Sequence, residues 1–97
     1  KNNITIISDP LTKVNSIRGV EFDWSDDYLA TRGGEDSYFI RKHDVGVIAN
    51  EIEKVLPEAV GVREDGIKAV KYERIVPLLI EAIKELSREI EELKKGK

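Results

Sequence analysis

The final quarter of the chain constrains the fold more than any other stretch. Val76, Leu79, Ile83, Leu86, Ile90 and Leu93 recur at alternating intervals of three and four, the spacing that lines residues along one face of an α-helix. In heptad terms Val76, Ile83 and Ile90 occupy a positions and Leu79, Leu86 and Leu93 occupy d positions, with Glu and Lys between them. The pattern predicts a helix over 72–95. In its first half Ile75, Val76, Leu78, Leu79, Ile80, Ala82 and Ile83 cover nearly every face, which predicts burial there against the rest of the domain or against partner chains. The stripe continues to Leu93 after the preceding sequence has nothing left to cover it, so a self-associating helix is expected. About three heptads is marginal for a coiled coil alone and sufficient when a folded head adds contact. Val and Ile at a with Leu at d favour a parallel dimer by themselves, whereas Ile80 at e and Ala82 at g widen the stripe toward a trimer or toward the head.

The preceding residues read as that head. Ser8-Asp9-Pro10 marks a helix start, with a short polar cap and Pro at the first position. Leu11, Val14 and Ile17 then share a face and Gly19 stops the run, which predicts a helix over 9–18. Val20, Phe22 and Trp24 alternate with acids, predicting a strand over 20–24. Residues 25–36 are polar and broken by Gly33-Gly34, as in an exposed loop, and a returning strand is expected over 37–41. Ile48, Ile52, Val55 and Leu56 fall at helical spacing until Pro57 ends the segment. Stretches 59–63 and 67–70 flank Glu64-Asp65-Gly66, a turn with Gly placed for positive φ. The fold class is therefore α+β, with a head of short helices and β-hairpins over 1–71 and a C-terminal helix over 72–97.

Other chemistries find little support. Cys is absent, which removes disulfides and thiolate metal sites, and a net charge of −3 argues against a nucleic-acid partner. The wing-like stretch 63–68 carries as much acid as base, and Lys94, Lys95 and Lys97 read as a solubilising tail. The apolar run 75–80 contains Pro77 and is too short to span a bilayer, so no membrane partner is expected. The single His43 sits beside Asp44, a pairing typical of a structural hydrogen bond, so no metal and no cofactor are expected. Glu51 and Glu53 flank Ile52 on a helix and point apart, unlike a pair of glycosidase carboxylates. Ser8, Asp9 and Lys13 invite a Ser-Lys reading, but a capping role for the first two and a solvated one for the third explain them better. Because the first residue is Lys1, with no apolar leader after it, a fragment or processed product is expected.

Several blocks in order carry a family resemblance. They are Lys1-x-Asn3-Ile4, Arg18-Gly19-Val20-x-Phe22-Asp23-Trp24, the run from His43 through Gly46-Val47-Ile48-Ala49-Asn50-Glu51-Ile52-Glu53 to Val60, Gly66-x-x-Ala69-Val70-x-Tyr72, and Leu78-Leu79-Ile80-Glu81-Ala82-Ile83. Together they resemble the C-terminal intramolecular chaperone domain of phage endosialidases, tail fibres and neck appendages, the S74 peptidase family. The resemblance implies a homotrimeric module that registers an upstream fibre or spike domain of the same polypeptide and is then released by autoproteolysis. It further implies action in the host cytoplasm during assembly, ending free of or associated with the virion fibre. In that family a Ser-Lys dyad in an S-D-x-x-x-K-x-N motif makes the cut. Lys1 matches the dyad lysine, its serine would precede it, and the chain from Lys1 onward is expected to be silent. Lys13 lies too close to Trp24 to match. Asn50 stands where the family usually has Gln. Two alternatives are a coiled-coil module with no protease activity and the same module in a non-phage self-cleaving protein, such as a membrane-tethered transcription factor.

Overall fold

The computed structural model describes residues 1–35 and 40–96. The chain is α+β, with elements in the order α1 (Pro10–Asn15), β1 (Val20–Asp23), α2 (Asp26–Thr31), β2 (His43–Gly46), α3 (Ala49–Val55), β3 (Val60–Val62), β4 (Lys68–Val70) and α4 (Val76–Lys95). Short 3-10 turns at Pro57–Ala59 and Tyr72–Arg74 lead into β3 and α4.

The four strands form two separate antiparallel ladders. β1 pairs with β2 in the register Val20↔Gly46 and Phe22↔Asp44, and the Trp24 amide extends the pairing by donating to the Lys42 carbonyl at 2.8 Å. β3 pairs with β4 as Val60↔Val70 and Val62↔Lys68. The tight turn between them needs Gly66, whose φ of 83° lies where a side chain is disfavoured. The sequence predicted this second hairpin with its boundaries nearly right. It predicted β1 as well, but placed the returning strand at 37–41. Most of that stretch lies outside the described residues, and the partner of β1 is His43–Gly46.

α3 lies over the second ladder and buries Ile52, which forms the centre of the core with Ala59 and Ile75. Ile17, Val47, Leu56, Val60 and Val70 pack around this centre. The helix runs where the apolar spacing put it. Ile48 is its extended N-cap, and Leu56 leaves the helical region before Pro57, as a residue preceding proline tends to do.

Three expectations need correction. The first helix is shorter than 9–18: it stops at Asn15, and the amides of Ser16 and Ile17 close 3-10-type bonds to Lys13 and Val14. Asp9 does not cap it through its side chain. The residue is in the left-handed region at φ 49°, and the free amide of Leu11 instead donates to the Glu85 carboxylate of α4 at 3.1 Å. That bond pins α1 onto α4, against which it packs. Second, the expected loop over 25–36 contains α2, started by Ser25, whose hydroxyl accepts from the Tyr28 amide at 3.1 Å. Third, the segment 72–95 is not one helix, because Tyr72–Arg74 is a 3-10 turn and the α-helix begins at Val76 with Pro77 in its first turn.

Candidate functional site

α4 has two faces with different fates. Ile75, Leu78 and Ala82 are buried against the head. The heptad residues lie roughly a quarter turn away at about 100° per residue, and Val76, Leu79, Ile83, Leu86, Ile90 and Leu93 are all between 41% and 70% exposed. From Leu86 to Gly96 every residue is exposed, so the second half of α4 leaves the head altogether. The apolar first half is likewise only partly covered, with Ile80 half exposed. A contiguous apolar stripe about 25 Å long, at 1.5 Å per residue, is a surface that water does not favour. Glu89 at g and Lys94 at e flank the stripe five residues apart, a separation at which opposite charges can pair between neighbouring helices of parallel, in-register coiled coils.

The N-terminal residue assigned by resemblance is reachable. Lys1 is exposed at the start of a stretch without regular structure that runs through Asp9. Ser8 is also exposed, while Lys13 is half-buried within α1.

Several acidic and basic residues of the head are tied to one another. Arg18 bridges to Glu51 at 2.7 Å, and its amide donates to the same carboxylate; the bond to Arg18 holds the Glu51 pKa below its ordinary value. Glu53 instead meets Lys68 at 2.7 Å, so the two glutamates do point apart. His43 bridges two acids across the first ladder, with Nδ1 2.7 Å from Asp23 and Nε2 3.2 Å from Glu21. Those bonds, Asp23 first, raise its pKa. Among the described residues no group of three or more His, Cys, Asp or Glu side chains is arranged to hold a metal ion.

A cleft that the sequence did not predict lies between the two ladders. Its volume is about 620 Å³, and its walls include Phe22, Trp24, Tyr28, Val45, Ile67 and Tyr72. Trp24 stacks on Tyr28 at 4.3 Å and meets Phe22 edge-on at 4.9 Å. Its indole Nε1 donates to Asp44 at 3.2 Å, while the Val45 amide donates to the same carboxylate; these bonds, the amide first, lower the Asp44 pKa. The cleft closes at its base where the Val47 amide donates to the Tyr72 hydroxyl at 3.3 Å. Gly46 permits that approach, since a Cβ there would stand 2.6 Å from the hydroxyl oxygen. Val45 and Val47, alternating around Gly46, are the sequence feature from which β2 and one side of the cleft are readable.

A sequence-family profile described as the chaperone of endosialidase, peptidase S74, matches residues 1–61. The chain is 35% identical over 97 residues, 96% of its length, to the long tail fibre protein Gp37 of Enterobacteria phage K3. It is also 35% identical over 99 residues to Gp37 of Salmonella phage S16, and 48% identical over 56 residues, 55% of the chain, to Gp37 of Enterobacteria phage M1. It spans 7% of the phage K3 protein, 12% of the phage S16 protein and 22% of the phage M1 protein.

Proposed function

Given that this chain belongs to the S74 peptidase family, the chaperone of endosialidase, we propose that it trimerises an upstream fibre or spike domain of its own polypeptide. α4 brings three chains together in parallel, and the head packs around the start of the bundle. The observation that carries this reading is the heptad stripe, exposed from Val76 to Leu93 in a protein whose other large apolar side chains are partly gathered into a core.

Interchain β-structure folds slowly because its strands come from distant points or different chains, and ordering entropy is lost before contacts repay it. Holding three chains by a C-terminal bundle raises their effective concentration and fixes their register. The Glu89 to Lys94 spacing contributes to that register, since a helix shifted by a heptad or reversed loses the pairing. Fibre assembly in the host cytoplasm, followed by association with the tail fibre, is the setting this reading implies.

The release step belongs to the same proposal. Lys1 acts as the base of a Ser-Lys dyad whose serine lies upstream: the lysine amine takes the hydroxyl proton, and the oxygen attacks a peptide carbonyl. The acyl bond to serine forms as the peptide C–N bond breaks, the leaving amine takes a proton, and water then hydrolyses the ester. Once the module is gone the assembled fibre has lost its route back, and its persistence becomes kinetic.

The test is to express the parent polypeptide with Lys1 intact and as Lys1→Ala, and to follow on denaturing gels the release of a C-terminal fragment that carries this chain. Release from the parent and none from the variant, with both forming the same oligomer, is the expected result. Equal release from both removes Lys1 from the chemistry.

A further inference from the structure

Ile4 and Ile6 stand 80% and 76% exposed, in a segment bracketed by left-handed residues at Asn3 and Asp9. They alternate along one side of that segment, while Ile7 between them and α1 is half-buried. The aromatic cleft between the ladders is equally open, with Val45, Ile67 and Tyr72 on its walls well exposed. Two unpaired apolar features on one chain, a strand-like segment and a groove wide enough for side chains, complement each other. They do not meet within the chain.

We infer that the segment carrying Ile4 and Ile6 of one chain docks into the cleft lined by Trp24, Val45 and Tyr72 on a second copy. This rests on the self-association proposed for α4. Three placements favour a neighbouring copy as the occupant. The cleft lies near the start of the helix stripe: Tyr72 on its wall stands four residues before Val76, the first exposed heptad residue, so a helix partner arrives beside the cleft. The segment starts from the same bundle, because Pro10 is buried and the Leu11 amide is bonded to Glu85 on α4. Its reach also fits. From Pro10 back to Ile4 the chain reaches at most about 20 Å, and the path from Glu85 down α4 and through the 3-10 turn to Tyr72 rises by about the same distance. Each chain would then hold its neighbour at two levels, by the helix and by the exchanged segment, and a symmetric bundle closes such head-to-tail contacts into a ring.

Trp24 is the sole tryptophan and Cys is absent, which makes the contact measurable without altering the background. Tryptophan emission is followed over a concentration series, beside the molar mass from light scattering, for the native chain and for Ile4→Ser with Ile6→Ser. The native emission shifts to the blue as the chains associate, and the shift is lost in the double variant while its oligomer persists. Ile6→Cys mixed with Val45→Cys then yields a disulfide joining the two different chains. An unchanged shift in an oligomeric double variant, or no mixed disulfide from oligomeric mixtures, overturns the exchange and leaves the helix association standing. A native chain that stays monomeric overturns both. A disulfide formed only within single chains carrying both cysteines places the segment in its own cleft and contradicts the exchange.

Discussion

Leu78 and Leu86 sit on the same helix eight residues apart, and they separate the two kinds of work this chain's apolar residues do. Leu78 is fully buried against the head, whereas Leu86 is 47% exposed at the point where α4 leaves it. The residue type is identical, and only the position around and along the helix differs. The lesson is that burial within one chain does not exhaust what the apolar pattern encodes. The head closes on a small centre of Ile52, Ala59 and Ile75, and the heptad stripe stays exposed, the surface that the proposed function assigns to association.

That contrast can be broken most forcefully at Leu78. Leu78→Ala leaves a cavity in a closed site and is expected to cost about 2–5 kcal/mol in chemical denaturation, while Leu86→Ala at the same high dilution changes stability by no more than about 0.5 kcal/mol. At higher concentration Leu86→Ala weakens association. Equal costs for the two at dilution would mean that the head covers both.

A smaller effect is expected where the head meets the base of the helix. Gly46→Ala drives a methyl group to within 2.6 Å of the Tyr72 hydroxyl, costing about 1–3 kcal/mol. Tyr72→Phe in that background removes the obstructing oxygen and returns most of the loss, which thermal melts of the single and double variants measure.

On the free side of α4, Glu89→Lys sets like charges at g and e of neighbouring helices and weakens association roughly twofold to fivefold. Adding Lys94→Glu restores it. The exchange of both charges is the informative measurement, since a parallel in-register bundle recovers and a bundle in any other register does not.

The smallest effect belongs to His43. Its pKa is raised above 6.5 by Asp23 and Glu21, so the charged ring's contribution to stability is complete below about pH 6.5. It fades as pH rises through the raised value. An NMR titration should place the imidazole transition above 6.5 in the native chain and bring it down in Asp23→Asn.

How much of this was readable in advance depends on how local the cause is. The heptad stripe, the Gly66 hairpin and α3 were legible because spacing and turn chemistry act within a few residues. α2 was not, because six residues are too few to show apolar periodicity, and the helix rests on the Ser25 cap, on the single buried Leu29 and on Trp24 stacking on Tyr28. The bond from Leu11 to Glu85 joins residues 74 apart, and the cleft requires two ladders to meet; neither is written in any single window of sequence. Asp9 misled for the converse reason. Its residue type suits a cap, but its backbone took the left-handed region and its carboxylate makes no capping hydrogen bond.

In the proposed function the exposed stripe of α4 is a surface for three chains. Light scattering over a concentration series measures it most directly. The expected molar mass is three times 11.0 kDa, falling to the single-chain value in Leu86→Lys with Ile90→Lys while the head keeps its fold. A native chain that remains at 11.0 kDa at every concentration would contradict the claim.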